Sequence, residues 1–142
     1  MPIGGGSMVV KYNQATLDGT TDTDTTNMGI QLSMGAMTII ASSGTKEKAS
    51  DEDIEGNGFG IKYDMGGGMT IAAATVEVTD ELDVSGTEEE KYTANIGEVV
   101  YTVAPGLAAK VTYTDYEYKN GGSTAAGDDS GQITNLTISA SF

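Results

Sequence analysis

Cysteine, histidine, tryptophan and arginine are all missing from this chain. Without cysteine there is no disulfide framework, thiolate metal site or thiol nucleophile. Without histidine the chain lacks the most versatile general base near neutral pH and the commonest metal ligand. Without arginine it has no planar fork for phosphate or carboxylate. Catalysis would have to rest on carboxylates, lysines or hydroxyls. No paired carboxylates, nucleophile–base set or metal cluster emerges from their spacing, so no enzymatic activity is expected. Long hydrophobic runs are missing too. No stretch reaches the roughly eighteen apolar residues of a membrane-crossing helix, and residues 1–7 have neither the basic start nor the apolar centre of a signal peptide.

What is present points elsewhere. The 142 residues suit one domain, spanning 1–142. Twenty-one acids face seven lysines, for a net charge of −14. That balance argues against nucleic acid, whose binding requires clustered cations. The acids are not spread evenly, and Val, Ile, Thr, Tyr and Met fill the intervals between them.

Those intervals alternate. From the end of the chain backwards, Phe142, Ala140, Ile138, Leu136 and Thr134 form one face, and Ser141, Ser139, Thr137 and Asn135 the other. This is the period of a half-apolar β-strand. Seven earlier segments repeat it. Met8, Val10 and Tyr12 make the apolar face of the first. Met28, Ile30, Leu32 and Met34 are followed after Gly35-Ala36 by Met37, Ile39 and Ala41. Phe59, Ile61, Tyr63 and Met65 come next. In 69–79 the register is ambiguous, and Ala72, Ala74, Val76 and Val78 are assigned outward because this leaves Thr75 and Glu77 inward. Gly97, Val99, Tyr101 and Val103 precede Pro105-Gly106, and Leu107, Ala109, Val111 and Tyr113 follow it.

Eight strands result. Their connections alternate: 18–26, 44–57, 80–91 and 119–131 are long, polar and acidic, the last of them rich in Gly, Ser and Asp. Gly35-Ala36, Gly66-Gly67-Gly68 and Ala104-Pro105-Gly106 are short and uncharged. Only Asp64, Glu77 and Glu98 of the acids sit well inside strands. In an up-and-down meander, loops of one parity share one end. All the acidic loops therefore gather at one end and all the tight turns at the other. The expectation is an all-β fold, an antiparallel up-and-down transmembrane β-barrel, with short turns on one side, long loops on the other, and strands apolar outside and polar inside. A soluble β-sandwich also has one apolar face per strand, but its core uses larger side chains and its loops are scattered.

The residues Gly58-Phe-Gly-Ile-Lys-Tyr-Asp-Met65, Tyr101-Thr-Val-Ala-Pro-Gly-Leu-Ala-Ala-Lys-Val-Thr-Tyr113 and Asn135-Leu-Thr-Ile-Ser-Ala-Ser-Phe142 resemble the C-terminal part of the general porins of alphaproteobacteria. The resemblance implies an outer-membrane, Gram-negative porin, commonly sixteen-stranded and homotrimeric, with a long third loop folded inward. Passive diffusion of ions and small hydrophilic solutes is the function it implies. Eight strands would then be half of the barrel, and residues 1–8 would form another tight turn, leading from an upstream strand. It further implies contact with outer-membrane lipid and lipopolysaccharide. Phe142, with Ala140 and Ile138 in step, resembles the signal read by the barrel-assembly machinery. The alternative is a self-contained eight-stranded outer-membrane barrel, with a structural or binding role carried by its acidic loops.

Inward charges are the candidate pore-lining residues: Lys11, Lys62, Asp64, Glu77, Glu98 and Lys110. They would set a transverse field that selects solutes, or else serve as solvated lumen residues and salt-bridge partners. Asp51, Asp53 and Glu55, and likewise Asp18, Asp22 and Asp24, are weak Ca²⁺ candidates that lack the twelve-residue EF-hand pattern; otherwise they are solvated, mutually repelling loop acids. Apart from possible Ca²⁺ at these acidic loops, no cofactor is implied. Tyr12, Tyr63, Tyr101 and Tyr113 suit interfacial girdles, or ordinary cross-strand packing. The glycine triplets at 4–6 and 66–68 are turn residues, since no Gly-Lys-Ser/Thr ending or helix follows them.

Overall fold

The computed structural model describes residues 2–3, 5–17, 22–48, 52–81, 89–121 and 127–141. The chain forms one antiparallel sheet, with strand order equal to sequence order. A two-residue β1 (Pro2–Ile3) precedes eight long strands: β2 (Gly6–Leu17), β3 (Thr23–Met34), β4 (Met37–Lys48), β5 (Glu52–Gly66), β6 (Met69–Glu81), β7 (Glu90–Ala104), β8 (Leu107–Lys119) and β9 (Asp129–Ala140). Each long strand pairs only with its sequence neighbours. β9 and β2 do not meet, so the sheet is open.

The strands run further into the polar segments than alternation suggests. Residues 44–57, expected as a loop, are mostly ladder: Gly44 pairs with Gly56 and Thr45 with Glu55, and so on to Lys48 with Glu52. Likewise Thr23–Thr26 extends β3 against Gln14–Leu17. The reason is physical. A ladder continues as long as backbone groups meet, whereas alternation requires one face to be dry. Where both faces are wet the pattern fades and the hydrogen bonds remain.

Among the described residues no second layer covers this sheet. Among the described residues, Ala94 is the one buried apolar side chain, at 3% exposure. A sandwich would bury one face of every strand against its partner sheet. Here large apolar side chains stand exposed along the whole sheet, among them Ile30, Phe59, Ile61, Val99, Leu136 and Ile138.

The short turns are built on left-handed glycines: Gly35, Gly66, Gly67, Gly68 and Gly106 all have positive φ. After each turn the sheet steps outward. Asp64 N–H donates to the Ala36 carbonyl, Thr102 N–H to that of Gly68 and Ser141 N–H to that of Gly106, each at 2.8 Å. In every case a later part of the chain runs past the preceding turn and caps its last carbonyl. β1 adds a like bend at the other edge, where Pro2 and Ile3 pair with Ser7 and Gly6.

Two of these glycines separate conformational from steric constraint. Gly35, at φ +56°, faces open space, whereas a Cβ on Gly106, at φ +80°, would lie 2.6 Å from the Ser141 carbonyl oxygen. Gly35→Ala should cost about 1 kcal/mol of stability, and Gly106→Ala about 2 kcal/mol or more, because it also breaks the cap on β9. Denaturant unfolding of the refolded protein in detergent, followed by heat-modifiable gel mobility, checks the order.

Candidate functional site

The register divides the side chains into two faces. One rung runs Met34, Met37, Tyr63, Ile71, Val99, Val111, Leu136, and is apolar from β3 to β9. The rung on the opposite face near it runs Ser7, Ser33, Thr38, Lys62, Ala72, Glu98, Thr112, Asn135. Of the exposed large apolar side chains among the described residues, only Val9, Leu17, Ile40, Tyr92 and Ile133 share the second, polar face, while Met65 and Val103 sit at register shifts.

The facing of β6 corrects the sequence expectation. Phe59, Ile61 and Tyr63 pair with Thr75, Ala73 and Ile71, so these three share the apolar face. Ala72, Ala74, Val76 and Val78 lie on the polar one. Both parities of this strand carry small apolar residues, and alternation could not choose between them; the hairpin register with β5 does. Glu77 moves with Thr75. It stands on the face of Phe59, not beside Lys62, and its carboxylate pairs with Lys91 at 2.8 Å.

The apolar face is a diagonal band. Val10, Ile30, Ala41 and Phe59 form one rung with Thr75, Asn95, Asp115 and Gln132, so a single rung starts apolar and ends polar. The loop-side limit of the band falls at Tyr12 in β2 and at Leu136 in β9, three same-face rungs nearer the tight turns. At about 3.3 Å per residue and about 4.8 Å per strand, this drift corresponds to strands tilted by roughly 30° to the band, near the tilt that closing a barrel demands. Tyr12 and Tyr113 mark the loop side of the band and Tyr63 and Tyr101 its turn side. Amphipathic rings on both margins are the arrangement of an interfacial girdle.

A face this apolar, uncovered, tilted and bounded by tyrosines needs lipid. A family model for Gram-negative porins matches residues 3–121. The chain belongs to that family. Its members are channels of the bacterial outer membrane, not enzymes. No curated protein and no solved structure matches it. The matched residues cover β2 to β8 and end before the closing strand β9.

On the polar face of this porin, Lys11, Lys62, Asp64, Glu98 and Lys110 fall together as their alternation suggests. Glu98 and Lys110 form an ion pair at 3.3 Å, and Thr112 Oγ1 donates to the same carboxylate oxygen at 3.3 Å. Both charges are about a third or more exposed. Asp64 has a local task as well: one of its carboxylate oxygens accepts the Gly66 N–H at 2.9 Å and shapes the β5–β6 turn. Between these charges the wall is low, with Gly29, Gly58 and Gly60 beside Ser42.

The remaining candidates are only partly placed. Asp53 and Glu55 share one face of β5, but Asp51 lies outside the described residues, as do Asp18 and Phe142. Among the described residues no three acids gather closely enough to hold a metal ion. Ile138 and Ala140 stand on the apolar face of β9, paired with Ala109 and Leu107.

Adjacent alanines test the facing directly. Ala73→Arg should destabilise the refolded protein by about 2 kcal/mol, because its cation must sit in the lipid band, whereas Ala72→Arg, on the polar face, should change stability by less than about 0.5 kcal/mol. Denaturant titrations in lipid vesicles measure both. Equal effects would refute the assignment of β6.

Proposed function

We propose that this chain forms part of the wall of a water-filled outer-membrane pore that lets ions and small hydrophilic solutes diffuse passively. The observation that carries the reading is the diagonal apolar band, backed by a face that carries Lys11, Lys62, Glu98 and Lys110 among serines, threonines and glycines. The first suits tilted strands in lipid and the second suits an aqueous lumen. Within this reading Lys11, Lys62, Glu98 and Lys110 line the pore and shape its field. The acid excess of the chain biases access towards cations.

We further propose that the chain is the C-terminal half of a sixteen-stranded, homotrimeric porin of the alphaproteobacterial type. Support comes from the open sheet: β9 and β2 leave edges without each other as partners, and β1 already occupies the start of β2's outer edge. A self-contained eight-stranded barrel requires β2 to pair with β9 and fills its interior with side chains. Gly29, Gly44, Gly56, Gly58 and Gly60 on the polar face are too small for that filling. On this account lipid and lipopolysaccharide meet the apolar face, and the assembly machinery reads Ile138, Ala140 and Phe142.

Planar-bilayer recording of the full-length protein tests the pore. Discrete conductance steps are expected once refolding is confirmed by heat-modifiable mobility, and their absence would sink the proposal. The ion pair gives a finer check. Glu98→Gln should move the reversal potential in a salt gradient towards anions and Lys110→Gln towards cations. Each should change stability by less than about 1 kcal/mol, because the pair is solvated.

A further inference from the structure

The polar face changes character along its length. Near the tight turns it mixes Lys62, Asp64, Glu98 and Lys110. At the acidic end, β7, β8 and β9 build an aromatic platform. Tyr92 pairs with Tyr118, and Tyr116 lies in register between Ala94 and Gly131. The rings of Tyr92 and Tyr116 stack with centroids 6.4 Å apart and 26° between their planes.

The platform is held by three independent features. Ala94, in register beside Tyr116, is buried. Gly131 clears the ground on which the ring lies, since a Cβ there would come within 3.0–3.2 Å of the Tyr116 ring and hydroxyl. The Tyr116 hydroxyl donates to an Asp129 carboxylate oxygen at 3.3 Å. Tyr92 meanwhile keeps 37% of its surface exposed.

The surroundings carry one sign of charge. Asp129 is in register with Tyr118, and Glu90 with Asp80. Lys91 and Lys119 point to the opposite face, where Glu77 and Glu117 pair with them. The nearest lysine on the same face in register is Lys46, beyond Ile54. A hard metal ion wants several oxygens converging on a point, whereas ring faces attract a cation whose charge is spread and weakly hydrated.

We infer that this platform is a binding station for organic ammonium cations at the acidic mouth of the pore, with the rings of Tyr92 and Tyr116 meeting the alkyl groups and Asp129 and Glu90 the charge. The inference rests on the pore reading, because it needs the polar face to line an aqueous path. It adds a substrate class: solutes with a substituted ammonium group pause here before crossing.

The test uses the full-length protein in planar bilayers, carrying potassium current while choline is added at the loop side. Choline should reduce the current in a saturable way. The double substitution Tyr92→Leu with Tyr116→Leu should weaken this block about five-fold or more, while Tyr116→Phe, which keeps the ring, should retain it. Asp129→Asn and Glu90→Gln should each weaken it in proteins whose folding is not at issue. A current that falls only in proportion to bulk conductivity overturns the inference while leaving the pore intact. So does equal block in the leucine or amide variants, or equal block by a neutral sugar of similar size. Absence of channel steps in the unsubstituted protein refutes the pore, and this station with it.

Discussion

Backbone hydrogen bonding in hydrocarbon is the constraint on which everything else here depends. Lipid supplies no partner for an N–H or a carbonyl, so each must be paired within the protein. In this porin the antiparallel ladder does that for every inner strand, and the side chains are then free to be thin. On the apolar face small residues such as Ala41 and Ala73 stand among large ones such as Ile61 and Leu136, and lipid, not a second sheet, completes the packing. This explains how a chain with a single buried apolar side chain among its described residues still makes an ordered sheet. The sheet ends on open edges at β2 and β9, which do not pair with each other; open edges are the condition that barrel closure removes.

The ladder also sets the geometry of the turns. Each tight turn ends on a carbonyl that a later backbone N–H caps. The stagger recurs at the three tight turns after β3, β5 and β7 and accords with strands tilted against the membrane plane. The apolar band follows the tilt by sliding three rungs between β2 and β9. Gly68 and Gly106 fit because their neighbours' backbones pass within a side chain's reach. The polar face inherits its order from the same register, which brings Lys110 to Glu98 and seats Tyr116 on Gly131.

Much of this was legible without coordinates. Eight strands, their alternating short and long connections, and the facing of seven of them follow from residues such as Met28, Ile30 and Leu32 or Phe59, Ile61 and Tyr63. The exception, β6, carries Ile71 and Ala73 on one parity and Ala72, Ala74, Val76 and Val78 on the other. Such a strand has no preferred face until a neighbour is fixed. The lengths of the acidic loops were overestimated for a related reason, because outside the lipid band a strand has nothing to alternate against.

By itself the sequence determined the class of solution: period-two alternation, glycine turns and segregated acids favour an up-and-down membrane barrel over a soluble sandwich, and they place Lys62, Glu98 and Lys110 on its wet side. Only the tertiary structure decided what depends on pairing across strands. The transfer of Glu77 to the apolar face beside Lys91, the diagonal course of the band, and the stacking of Tyr92 on Tyr116 all come from residues far apart in sequence. Their meeting is set by hairpin register, a property of two strands together that neither strand's own pattern contains.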